Sequence, residues 1–380
     1  MNISDELKSR GVECARGIAE WLVTVQSPHR TDNPGAGSFP WCVYRDGREY
    51  QAQNWNLAFA SMGLLAAHKA FGEERYERAA LRMGGYMKAL QIFDPFKPDL
   101  YGAIREQTPQ TPWCYTRDTL SVAWAFVELY RHTGDDEWLE RARLWGEWFL
   151  AHGRDAEGWP LWGHEFEPQF PHQSRGMRND LQGCFQGGSL NFLYHLAKET
   201  GDEKWIGEPL VKIADLFVEH VQQPNGYFIS IDRATKRPPE ADPQRGLHRA
   251  NDDLGTLGLL CAYRVTGDER YLRSIEKFLN AVFAAQREDG TFEDSIAGTP
   301  VILNVLHEAG ELVTVSAMQD GAIERALAAL YASQDDGEVS PRMRGGLIEE
   351  GTSYVCARSS CYALIVLLKL FAGVEGYLCD

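Results

Sequence analysis

The chain has 380 residues, 44% of them hydrophobic and 11% aromatic, enough to fill a large core. Its 54 acidic residues against 38 basic ones leave a net charge of −16. That excludes a general binder of nucleic acid or of an anionic membrane, whose footprint is basic.

The N-terminal stretch "MNISDELKSRGVECARGIAEW" reads as an amphipathic helix near residues 4–26, without the apolar core of a signal peptide. No window is apolar for long enough to span a bilayer. Eight scattered cysteines without a CxxC pair read as buried, reduced thiols of a cytoplasmic protein. No zinc-type spacing of Cys or His occurs, so no metal is expected. No Walker or dinucleotide glycine loop follows a strand, so no cofactor is expected and phosphate chemistry is unsupported; without a GxSxG elbow, a serine-based hydrolase is unsupported too.

Further along, one motif returns: "HKAFGEERYERA" (68–79), "RHTGDDEWLERA" (131–142), "KETGDEKWIGEP" (198–209) and "RVTGDERYLRSI" (264–275). A weaker copy is "SAMQDGAIERAL" (316–327). Gly72, Gly134, Gly201 and Gly267 suit the left-handed position that ends one helix. Asp135, Asp202 and Asp268 can cap the next helix, and the following Tyr or Trp anchors it. A second repeat follows each hairpin, in "AEGWPLW" (156–162), "PNGYFIS" (224–230) and "EDGTFED" (288–294), with "YRDGREY" (44–50) in the same part near the start. The pattern predicts roughly 12 helices in six hairpins, the last near residues 357–373. An all-α (α/α)6 barrel over residues 1–380, as one domain, is the expected fold. An open solenoid is the alternative.

The helices after the long loops are the more apolar, as in "LAFASMGLLAA" (57–67) and "LSVAWAFVELY" (120–130), and should form the inner ring. Their N-termini then converge, carrying Asn54-Trp55, Arg117-Asp118, Arg178-Asn179-Asp180 and Asn251-Asp252-Asp253. One Asp ahead of an apolar helix is ordinarily a cap. Three successive ones brought together suggest chemistry: Asp118 and Asp180 as an acid/base pair for a glycosidic bond, Asp252 or Asp253 as a positioning group. Arginine outnumbers lysine in these loops, which favours a carboxylate-bearing substrate, with Arg117, Arg178, Arg249 and Arg358 as candidate contacts. The bland alternative pairs these arginines with loop acids such as Glu106, Glu165 and Glu240. Aromatic residues among them, Trp55 and Tyr115 included, can stack on sugar rings. His248 is a candidate base or ligand.

The six hairpins with TGD-x-x-Y/W turns resemble the six-hairpin glycosidase superfamily. Within it, size and Asp-headed inner helices resemble the unsaturated glucuronyl and rhamnogalacturonyl hydrolases. The resemblance implies an aspartate that protonates the double bond of an unsaturated uronic sugar, after which water adds. The Asp118–Asp180 interval is similar to that group's two key aspartates. In the other register Asn54 or Asn56 takes the first position, and Asp118 is the sole matched acid. The expected function is release of a terminal uronic-acid residue from an anionic oligosaccharide. The alternatives are a uronate lyase or sugar epimerase with a His248 or Tyr115 base, and a non-catalytic sugar-binding protein.

Overall fold

In a computed structural model, residues 3–28, 33, 35–167, 180–181, 188–228, 231–237, 253–292, 296–349 and 351–376 are described, with backbone alone at 180, 181, 253 and 254. Two classes of helix alternate along the chain. The first class is α2 (Asn54–Phe71), α4 (Thr116–Thr133), α6 (Gly188–Thr200), α8 (Asp253–Thr266), α10 (Gly298–Ala309) and α12 (Ala357–Ala372). Each of these packs on the next, and α12 packs back on α2, so the ring closes and the solenoid is excluded.

The second class is α1 (Asp5–Val25), α3 (Glu74–Leu90), α5 (Asp136–His152), α7 (Glu208–Leu216, continued by one π-helical turn), α9 (Glu269–Ala284) and α11 (Ala322–Ala332). These form the outer layer: α3, α5, α7, α9 and α11 lie on the inner helix just before them, and α1 lies on α12. First and last helices thus complete the sixth hairpin. Burial follows the layers. Every residue of α2 from Asn54 to Ala67 is buried, whereas α9 buries only a stripe that includes Tyr271, Ile275, Phe278 and Val282.

The short turns lie at one end of the ring. Gly72, Gly134, Gly201 and Gly267 have φ of 70°, 69°, 66° and 70°, the left-handed region that glycine enters without strain. Asp135, Asp202 and Asp268 accept the amides of Glu137, Lys204 and Arg270 at 3.0, 3.0 and 2.8 Å. The fifth turn departs from expectation. There α10 ends at Gly310, and Gly321 is the N-cap of α11, so the connection is long and the glycine begins a helix.

At the other end, glutamines at the ends of outer helices make a repeat that was not anticipated. The side-chain amides of Gln26, Gln91, Gln222, Gln286 and Gln334 each donate to two carbonyls. One belongs to a turn glycine (Gly37, Gly102, Gly226, Gly290 or Gly345), the other to the next outer helix. These glycines must be bare. At Gly290, φ is +92° and a Cβ would come within 2.3 Å of the Arg325 carbonyl oxygen. In the first unit this role belongs to Gly37; the Gly47 turn instead joins β1 (Pro40–Tyr44) to β2 (Glu49–Gln51).

Short antiparallel strands run directly into inner helices at this end. They are β3 (Trp113–Tyr115) ahead of α4 and β7 (Tyr354–Cys356) ahead of α12. β3 pairs with β4 (Gly163–Glu165), β7 with β1, and β5 (Asp180–Leu181) with β6 (Ile231–Asp232). The described cysteines, Cys14, Cys42, Cys114, Cys261, Cys356 and Cys361, are buried free thiols. Among the described residues no helix is long and apolar enough to cross a membrane.

Candidate active site

Asp118 sits in the first turn of α4, where strand β3 delivers it to the mouth of the ring, and it is 4% exposed. The carboxyl it meets is that of Glu106, on the segment ahead of β3 and fully buried. The backbone holds Glu106 from two sides: its carbonyl accepts the Asn54 amide (2.9 Å) and its own amide donates to the Trp113 carbonyl (3.1 Å). The Tyr115 amide donates to Glu106 Oε2 at 2.8 Å, while Oε1 meets no N–H or O–H donor.

Two carboxyls in contact away from water repel unless one holds a proton. Burial, and then the Asp118 charge, push the Glu106 carboxyl well above the usual carboxylate range. Burial raises Asp118 too, but hydrogen bonding to Glu106 and the charge of Arg117 pull it back. Both carboxyls are therefore pushed upward by burial, and the Arg117 charge beside Asp118 favours ionisation on that side of the pair. Glu106 is thus not one of the loop acids that neutralise arginine.

Arg117 spans three inner helices. From α4 its Nη1 lies 3.5 Å from Asp118 Oδ1, and its Nη2 donates to the Tyr362 hydroxyl of α12 at 3.1 Å. Its guanidinium also lies 4.6 Å from the ring centre of Trp55 on α2. Trp55 in turn stacks on Tyr362 at 6.5 Å. Asp118, Arg117, Trp55 and Tyr362 therefore form one wall at the mouth.

The remaining candidates fall in different places. Asn54 is buried, its side chain donating to the Arg105 carbonyl at 2.9 Å, so it braces the segment that carries Glu106. Tyr115 is half-buried in β3, 4.9 Å from the Trp113 ring. Arg358 is the second residue of α12, at the same end of the ring. Asp253 opens α8, but Asp180 lies in β5 opposite Asp232 and does not head α6. The side chains of Asp180 and Asp253 lie outside the description, as do Arg178, His248, Arg249 and Asp252.

Several loop arginines are committed to structure: Arg48 to Asp46 (2.7 Å), Arg233 to Asp155 (2.5 Å) and Arg342 to Glu49 (2.6 Å). Sequence reasoning missed Glu106 as a site residue and Tyr362 altogether. Tyr362 occupies an apolar helix that offers no motif, and only ring closure brings it to Arg117.

The β-L-arabinofuranosidase GH127 catalytic-domain family model matches residues 39–229. No curated protein matches the chain. Among solved structures, cellobiose 2-epimerase from Bacillus thermoamylovorans B4167 is similar over 97% of this chain and 100% of its own, at 14% identity and a TM-score of 0.72. An unsaturated glucuronyl hydrolase specific for heparin is similar over 98% of each chain, at 16% identity and a TM-score of 0.67. The GH76A α-1,6-mannanase of Salegentibacter sp. HEL1_6 is similar over 96% of this chain and 100% of its own, at 14% identity and a TM-score of 0.66. These likenesses establish the (α/α)6-barrel fold.

Proposed function

The chain belongs to the β-L-arabinofuranosidase GH127 catalytic-domain family, a carbohydrate-active enzyme, and on that premise we propose that it is a glycoside hydrolase whose acid/base is Asp118. The observation that carries the reading is the buried, proton-sharing contact of Glu106 with Asp118 beside Arg117. Carboxyls that flank a glycosidic bond stand about 5–9.5 Å apart, leaving room for the reacting atoms. Two carboxyls in contact leave no such room and work as one acid/base unit.

A single unit suits protonation of an unsaturated uronic sugar. The pair's one proton passes from Glu106 by way of Asp118 to the double bond of the substrate, and the incoming water, as it adds, gives up a proton that restores the pair. The substrate is accordingly a terminal uronic-acid residue of an oligosaccharide, within one catalytic domain of residues 1–380. Likeness to the heparin-specific glucuronyl hydrolase is consistent with that reading. Trp55 and Tyr115 supply faces for the sugar, and Arg358 a cation for its carboxylate. Asp180, Asp252, Asp253, Arg178, Arg249 and His248 belong to this proposal as further contacts.

The family match supports a second reading, release of an L-arabinofuranosyl residue. The matched residues end at 229, however, and leave out Tyr362 and Arg358. Incubation with unsaturated and saturated uronic-acid disaccharides and with L-arabinofuranosides decides between them. The first reading expects loss of the double-bond absorbance, with a proton NMR spectrum of the released keto sugar. Turnover confined to arabinofuranosides supports the second. An epimerised disaccharide without hydrolysis overturns both.

A further inference from the structure

The short-turn end of the ring carries a second cluster of ionisable groups, far from the mouth. His68 stands in the last turn of α2, Glu77 near the start of α3 and His132 in the last turn of α4. Along α2, His68 is about 21 Å from Asn54 at the helical rise of about 1.5 Å per residue. One ligand atom from each residue lies within 4.8 Å of the other two, and all three residues are half-buried.

We propose that His68, Glu77 and His132 form a binding site for a divalent transition-metal ion of the zinc class, which clips inner helices α2 and α4 to outer helix α3. Two imidazoles and a carboxylate are a donor set that Zn²⁺ accepts at bonds of about 2.0–2.2 Å. His132 Nε2 and Glu77 Oε1 are 2.7 Å apart. Two ligands on a tetrahedral ion stand about 3.3 Å apart, as bonds of that length require, so the pair opens by well under an ångström to admit it. His68 Nδ1 lies 3.2 Å from the Glu73 carbonyl oxygen. Donating there fixes the tautomer that leaves Nε2 free to ligate, which is how a backbone carbonyl orients a metal-binding histidine. The His68 and His132 rings meet edge to face at 5.6 Å, beside the Glu77 carboxylate. Half-burial leaves a side of the ion open to water as the fourth ligand.

A Glu77–His132 ion pair on its own would be an ordinary surface contact. The third ligand, held by its own carbonyl, makes the arrangement a site. Arg78, the next residue along α3, pairs with Glu74 at 3.0 Å. The metal would not touch the reacting sugar. Its effect is to tie the first two hairpins together.

The test uses the full chain stripped with a chelator, titrated with zinc chloride by calorimetry and with Co²⁺ by visible absorption. Expected are stoichiometric zinc binding, tetrahedral cobalt bands and a higher melting temperature with zinc. His68→Gln, Glu77→Gln and His132→Gln should each weaken binding by at least about 100-fold, beyond the 10–100-fold of losing an outer-shell partner. The melting rise should disappear with the affinity, while hydrolytic turnover is retained with or without zinc. Octahedral cobalt bands in the wild type overturn the proposal whether or not the variants fold. So does zinc binding as tight in Glu77→Gln as in the wild type.

Discussion

The Glu106 carboxyl rests against that of Asp118, one from a loop ahead of β3 and the other from the first turn of α4, and burial raises the affinity of both for a proton. Each group alone would be a loop acid or a helix-end acid. Together, out of water, they hold a proton at a pH where isolated carboxylates have lost theirs.

Catalysis should therefore follow the pair's titration. As pH rises through the raised value of Glu106, the pair loses its proton and kcat/KM falls. At low pH, protonation of Asp118 removes the base and kcat/KM falls again. In Glu106→Gln the amide still donates to Asp118 but stores no exchangeable proton. The basic limb of that variant's pH profile should shift to lower pH by about one unit or more. An unchanged profile would mean that Glu106 has no part in the titration.

Stability should depend on His195. This residue is fully buried on α6, stacked 5.2 Å from Trp124 and 3.3 Å from Arg131 Nη2. Burial first, then the charges of Arg131, Lys198, Arg264 and Lys369, hold its pKa well below the usual imidazole value. The unfolded chain thus binds a proton that the folded one refuses. Stability is complete above the ordinary imidazole range and declines as pH falls through it toward the depressed folded value. Melting temperatures from about pH 8 to 5 should fall for the wild type, and His195→Gln should flatten that slope.

The two glycine classes should respond differently to a methyl group. At Gly134 the backbone is left-handed but a Cβ meets nothing within 4 Å, so Gly134→Ala should cost about 1–2 kcal/mol, the strain alone. At Gly290 the same change adds a collision with the Arg325 carbonyl, and should cost about 3 kcal/mol or more. Urea unfolding of both variants, compared at constant slope, measures the difference.

The ring was legible in the sequence because its turns are local. Gly134 with Asp135 and Trp138 specifies a helix end, a cap and an anchor within five residues, whatever the rest of the chain does. The fifth hairpin misled because Gly321 resembles those turns in sequence but has a different place, at a helix start. The glutamine bridges were hidden because each joins a turn to a helix about 35 to 320 residues away, and nothing near Gln334 announces Cys14. At the mouth, Asp118 was legible from its position ahead of an apolar helix. Glu106 was not, since its burial depends on Asn54 and Trp113 closing around it. Asp180 looked equivalent to Asp118 by interval, yet its backbone belongs to a strand pair. His68, Glu77 and His132 have no metal-type spacing, and three helices must pack before they meet.

The most direct test of the account is turnover by Asp118→Asn on the sugar that the wild type hydrolyses, with helix content and melting temperature measured alongside. The account predicts a loss in kcat of about 10²–10⁴ in a protein that folds as before. Turnover within tenfold of the wild type, in a folded variant, would contradict it.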